Sequence, residues 1–164
     1  MNMDCDNTNV TNLNCLREGF NFPGADLRIL TVADEEECVK HCRDTEDCKG
    51  FSMRESDRRC FLKSMRGGAS GPTAEDGYSS LNMECDNSAV DLSCAKEDEE
   101  FPGHDITSIA LDDLETCVRM CRDVQNCRSV TYVAVKKMCH LKHKDFKWQE
   151  GRSRANVKST NLTC

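Results

Sequence analysis

Long apolar runs, aromatic rings and surplus positive charge are all scarce in this chain. Aromatic residues are 5% of the 164, and the 38% that is hydrophobic already counts the cysteines. A single large core of the doubly wound or barrel kind is therefore excluded. No stretch reaches the ~18 apolar residues of a membrane span, which predicts a soluble molecule with no direct membrane insertion. The formal net charge of −7 excludes a general nucleic-acid binder, because phosphate recognition draws on surplus Lys and Arg. Met1 to Cys15 is polar and Asn-rich with no apolar run, so any export leader is expected to have been removed already.

What the chain has instead is cysteine, 13 residues of it, a density that reads as a disulfide scaffold in a secreted protein. Cys15, Cys38, Cys42, Cys48, Cys60 and Cys85 are separated by 23, 4, 6, 12 and 25 positions, and Cys94, Cys117, Cys121, Cys127, Cys139 and Cys164 repeat the series without change. Two copies of one framework, offset by 79, follow from that agreement. Phe22, Pro23, Gly24 and Asp26 recur as Phe101, Pro102, Gly103 and Asp105, and Leu62-Lys63 as Leu141-Lys142. The expected domains are residues 8–85 and 86–164. At that size an apolar core supplies little net stability, and three disulfides per copy would compensate. Six cysteines allow 15 pairings, and spacing alone does not choose among them.

Local patterns give the elements. Asp34 to Cys42 reads as a helix: Asp34 can cap it, Glu37 follows three residues on, and Cys38, Val39 and Cys42 share a face. In the second copy Leu114, Cys117, Val118 and Cys121 form the same stripe, with Asp112 and Glu115 at its start. Gly50 to Met53, Arg59 to Lys63, Ser129 to Val135 and Met138 to Lys142 are short β-leaning segments, one hairpin per copy. The fold class is α+β, a helix pinned over a small antiparallel sheet by one cysteine to a strand and one to a loop.

The pattern resembles the PAN/apple domain, the module of plasminogen-type proteins, clotting zymogens and apicomplexan adhesins. The residues that carry the likeness are Cys38-Val39-Lys40-His41-Cys42 and Cys117-Val118-Arg119-Met120-Cys121, each followed six residues later by Cys48 or Cys127. To these are added Cys60-Phe61-Leu62-Lys63, Cys139-His140-Leu141-Lys142 and the outer cysteines of each copy. The resemblance implies the pairs Cys15–Cys85, Cys38–Cys60 and Cys42–Cys48, with Cys94–Cys164, Cys117–Cys139 and Cys121–Cys127 as counterparts, and a curved antiparallel sheet cradling one helix. The eight residues between Cys85 and Cys94, and the loop Gly68-Ala69-Ser70-Gly71-Pro72, look like the parasite microneme proteins. The second copy departs from that loop, with Gly151-Arg152-Ser153-Arg154 nearby.

Cys5 is left over, and Asn2-Met3-Asp4-Cys5-Asp6-Asn7 is similar to Asn82-Met83-Glu84-Cys85-Asp86-Asn87, the end of the first copy. Three fates stay open: a partner in an earlier repeat of a longer array, an intermolecular disulfide giving a homodimer, or a free thiol.

Catalytic chemistry has little to stand on. Structural zinc favours Cys-x2-Cys knuckles, which are not the spacing here. His41, His104, His140 and His143 sit in no nucleophile or metal motif and read as surface residues. The carboxylate runs Asp34 to Glu37 and Glu97 to Glu100 read as solvated faces. The expectation is no enzyme activity and no cofactor.

Binding remains, and charge and aromatics say where. Residues 1–85 carry a net −6 and residues 86–164 a net −1. Between Lys136 and Lys158, eight basic residues (Lys136, Lys137, Lys142, Lys144, Lys147, Arg152, Arg154, Lys158) face only Asp145 and Glu150. Such a stretch attracts anionic glycans or acidic proteins, or simply forms a solvated loop. Trp148, the only tryptophan, lies in that stretch and Tyr132 on a nearby strand. A ring beside a lysine suits a sugar, whose C–H face packs on the ring while its hydroxyls take fixed polar partners. The expected ligand contacts are thus Lys142, Lys144, Trp148 and Tyr132, with Lys63 as the first copy's counterpart; Tyr132 and Trp148 completing a small core is the competing reading. The resemblance implies a secreted, extracellular adhesin that binds host-cell glycans or glycoproteins of galactose type, stored in a secretory organelle, the microneme, before release. The rival roles are a scaffold for adhesin partner proteins and a binder of sulfated or sialylated glycans. Asn9-Val10-Thr11 and Asn161-Leu162-Thr163 match the N-glycosylation pattern.

Overall fold

The computed structural model describes residues 13–85, 88–147 and 151–163, and the chain divides into two compact units, Met1–Asn87 and Ser88–Cys164. In unit 1 the strands Arg17–Asn21 (β1), Asp26–Thr31 (β2), Gly50–Arg54 (β3), Arg59–Lys63 (β4) and Thr73–Asn82 (β5) form one sheet in the order β1-β5-β3-β4-β2. Helix Glu35–Asp44 (α1) runs between β2 and β3. Unit 2 repeats the plan with Lys96–Glu100 (β6), Asp105–Ala110 (β7), helix Leu114–Arg122 (α2), Ser129–Val133 (β8), Met138–Lys142 (β9) and Arg152–Asn161 (β10), ordered β6-β10-β8-β9-β7. Every strand pair is antiparallel. The α+β class expected from the residues is the one found.

The helices begin where their carboxylates dictate. Asp34 accepts from the Glu37 amide at 3.0 Å, and Glu37 accepts from the Ala33 amide at 2.6 Å, a reciprocal cap that satisfies two otherwise unpartnered N–H groups. In α2 the cap is Asp113, accepting from the Thr116 amide at 2.8 Å, rather than Asp112. Each helix lays its cysteine-bearing stripe on one sheet face. In unit 1 Cys38, Val39 and Cys42 pack with Phe51, Met53, Cys60, Leu62 and Leu81. In unit 2 Cys117, Val118 and Cys121 are buried, as are Val130, Tyr132, Cys139 and Leu141.

Disulfides join Cys15–Cys85, Cys38–Cys60, Cys42–Cys48, Cys117–Cys139 and Cys121–Cys127, with Cα–Cα distances of 5.3 to 6.2 Å. These are pairs that the family resemblance implied. Cys164, and with it the expected Cys94–Cys164 bridge, and Cys5 lie outside the described residues.

Two features differ from the sequence reading. The strand expected over Ser129 to Val135 stops at Val133, because Ala134–Lys136 turn as a 3-10 segment and Lys137 takes φ 50° to reverse the chain. Each sheet also has five strands rather than one hairpin. The added strands are bulged at corresponding places: Gly19 and Asp98, and Gly77 and Asn156, all have positive φ, and the β1–β5 and β6–β10 registers shift there.

The sheet face turned away from each helix carries hydroxyls. Ser52 and Ser80 are hydrogen-bonded at 2.7 Å, and Ser52 accepts from the Phe22 amide at 2.9 Å. Thr131 and Ser159 repeat the pair at 2.9 Å. The Phe-Pro-Gly turn of unit 1 is thereby drawn onto that face, and in unit 2 Phe101, Pro102 and Gly103 lie beside Thr131 as one wall of the site described next.

Candidate functional site

A cleft of about 480 Å³ opens on the helix-distal sheet face of unit 2, within the range of small-ligand sites. β9 and β8 supply its floor through His140, Lys142, Thr131 and Val133; β7 adds Asp105 and Ser108; the turn after β6 adds Phe101, Pro102 and Gly103; Glu100, Lys136 and Arg154 stand at its rim. These residues meet because alternate positions of a strand face the same side. Cys139 and Leu141 point to the helix, whereas Met138, His140 and Lys142 line the cleft.

Lys142 is buried, and its ammonium donates to the Gly103 carbonyl at 2.7 Å and to the Asp105 carboxylate. Two of its three donors are thus engaged. The other Asp105 oxygen lies 3.9 Å from His140 Nδ1, and Ser108 Oγ is 2.6 Å from the same nitrogen. Burial pushes the His140 pKa below its ordinary value, against the pull of Asp105. Arg154 bonds to Glu100 at 2.7 Å across the rim. Fixed carboxylates, cations, a hydroxyl and an imidazole therefore converge beside the apolar Pro102, Val133 and Met138.

The expected contacts fall in different places. Lys142 is in the cleft, and it shares an adjoining hollow of about 90 Å³ with Lys144, Phe101 and Phe146. Phe101 and Phe146 stack with ring centroids 3.9 Å apart. Tyr132 is on the opposite face, buried, and its hydroxyl donates to the Leu111 carbonyl at 2.9 Å; burial raises its pKa. Trp148 lies outside the described residues. Lys63 is buried in unit 1, where its ammonium meets Asp26 as Lys142 meets Asp105.

Two members of the basic stretch, Arg154 and Lys158, are paired with the acidic run. β6 pairs with β10 so that Lys158 meets Glu97 at 3.4 Å while Arg154 meets Glu100. Glu97 to Glu100 is a strand edge carrying counter-charges, beyond the solvated face expected of it. His140, expected at the surface, is half-buried at the cleft floor. Sequence reasoning missed Asp105, Glu100 and His140 as cleft residues. The signal available was the joint recurrence of Asp26/Asp105 and Lys63/Lys142 at one offset with opposite charge.

The PAN domain family matches residues 15–87 and 94–164. Among solved structures, the chain is similar to the two N-terminal apple domains of Toxoplasma gondii microneme protein 4, with 17% identity and a TM-score of 0.47 over 90% of this chain and 89% of that one. It is similar also to AMA1 from Babesia divergens, with 9% identity and a TM-score of 0.35 over 70% of this chain and 43% of that one. No curated protein matches the chain.

Proposed function

Because the chain belongs to the PAN domain family in both of its units, we propose that it is an extracellular adhesion module whose second unit holds a neutral, galactose-type glycan in the cleft on its sheet face. The observation that carries this reading is the convergence of Asp105, Lys142, His140 and Glu100 with apolar Pro102 and Val133 in one cleft. Neighbouring sugar hydroxyls each offer a donor and two acceptors, so a carboxylate beside an ammonium can hold two of them at once. Lys142 brings its third donor to this task, and Asp105 holds the ammonium in place. The sugar's C–H face then covers the apolar patch. The disulfide density supports an oxidising, extracellular setting. Nothing in the reading requires a cofactor or catalysis.

A sulfated or sialylated ligand has less support, since Arg154 and Lys158 already face Glu100 and Glu97. The test is a glycan array with free galactose as competitor. Inhibitable binding that changes little between low and high salt is expected, and Arg154→Ala or Glu100→Gln, both at the rim, weakens it roughly tenfold while the protein stays folded. Binding that collapses as salt rises points instead to an anionic glycan. Absence of any competable binding removes the lectin reading.

A further inference from the structure

The two units share the floor of this face and differ at its rim. Phe22, Pro23, Gly24, Asp26 and Lys63 stand in unit 1 where unit 2 has Phe101, Pro102, Gly103, Asp105 and Lys142, and both buried Lys–Asp pairs are made. The cross-strand pair beside that floor is Ser108 opposite His140 in unit 2, but Ile29 opposite Phe61 in unit 1. Ile29 is 50% exposed and Leu27, two residues earlier, 42%. Among the described residues only Leu92 and Val135 are comparable large apolar side chains in solvent, so half of that set lies together on β2. Clustered apolar exposure of this sort marks interaction surfaces.

The surroundings specify what such a surface accepts. The Arg54 guanidinium lies 5.3 Å and the Lys63 ammonium 5.6 Å from the Phe61 ring centre. Arg28 lies between Leu27 and Ile29 on β2, and Arg59 opens β4, 3.4 Å from the Asp57 carboxylate that also takes Arg54 at 2.7 Å. Asp26 matches Lys63, and the single carboxylate of Asp57 serves both Arg54 and Arg59, so the four cations exceed these two partners by two, with Glu75 at the far rim, although residues 1–85 are net −6. β2 is also an edge strand, paired only with β4, so one side of its backbone is open to a further strand. We propose that unit 1 carries a second recognition site along β2, which takes an extended, acidic protein segment bearing aliphatic or aromatic side chains. The segment adds to the sheet edge, its apolar side chains cover Leu27, Ile29 and Phe61, and its carboxylates meet Arg28 and Arg59. The site is separate from the glycan cleft and does not depend on it.

The experiment is selection of random dodecapeptides on the full chain, with galactose in excess and counter-selection on the double variant Ile29→Ser/Phe61→His. That variant installs the residues which unit 2 already has at the matching positions. Acidic peptides with alternating apolar residues are expected to emerge, to lose affinity at least roughly tenfold on the double variant and on Arg59→Glu, and to shift backbone amide resonances of residues 26–31 and 59–63 in the unmodified protein. The proposal is overturned if no peptide distinguishes the two proteins, if the discriminating peptides lack acidic residues, or if the shifts fall elsewhere. Because galactose is present throughout and unit 2 is unaltered, failure here leaves the glycan reading standing, and failure of the glycan array leaves this one.

Discussion

Lys142 and Lys63 each hold an aspartate from a strand 37 residues away, and both lysines are buried while the aspartates are half exposed. A lysine so placed is part of the fold as well as part of the cleft, so its removal leaves a carboxylate without its counter-charge. Rim variants therefore report on ligand more cleanly. His140 supports a sharper expectation. Burial holds its folded pKa below the unfolded one, so the unfolded chain binds the proton more readily and stability falls as pH drops below about 6.5. Unit 1 has Phe61 at the matching position. In His140→Phe the loss of thermal stability between pH 7 and pH 5 should be smaller than in the parent; an unchanged pH profile would refute the role given to burial. The Asp–Lys pairs were visible in the sequence only as repeat markers. Their contact joins β2 to β4 and β7 to β9, and local periodicity does not report which strands are neighbours.

At the scale of elements, legibility followed burial. The helices were readable because a buried cysteine stripe recurs at helical spacing and a carboxylate precedes it. β3, β4, β8 and β9 were readable because they are central and apolar. β2 and β6 were not. All but one residue of β2 are exposed, and β6 reads Lys-Glu-Asp-Glu-Glu, so neither alternates; they are strands because a partner strand pairs with them. The caps can be tested directly. Asp113→Ala removes the hydrogen bond to Thr116 and should cost about 1 kcal/mol in chemical denaturation. Hydrogen bonding from the Thr116 side chain, and then from its amide, holds the Asp113 carboxyl below its ordinary pKa, so the cap's contribution is present near neutrality and disappears as pH falls through the depressed value. A variant as stable as the parent at pH 7 would contradict the assignment.

For the molecule as a whole, stability rests on sulfur more than on area. Each unit is too small and too poor in rings for an apolar core alone, and its helix is tied to both a strand and a loop. Reduction under native conditions should unfold both units, seen as loss of ordered circular dichroism together with alkylation of the core cysteines. Retention of native signal with all thiols alkylated would show that packing suffices.

The bridge between Cys15 and Cys85 closes unit 1 where its chain enters and leaves, with the two α-carbons 6.2 Å apart. Tension applied along the polypeptide therefore crosses one covalent link and bypasses the sheet, whose hydrogen bonds carry none of the load. A fold closed in this way can be pulled between two anchored surfaces and keep its sheet intact, provided that the sulfur link stays oxidised.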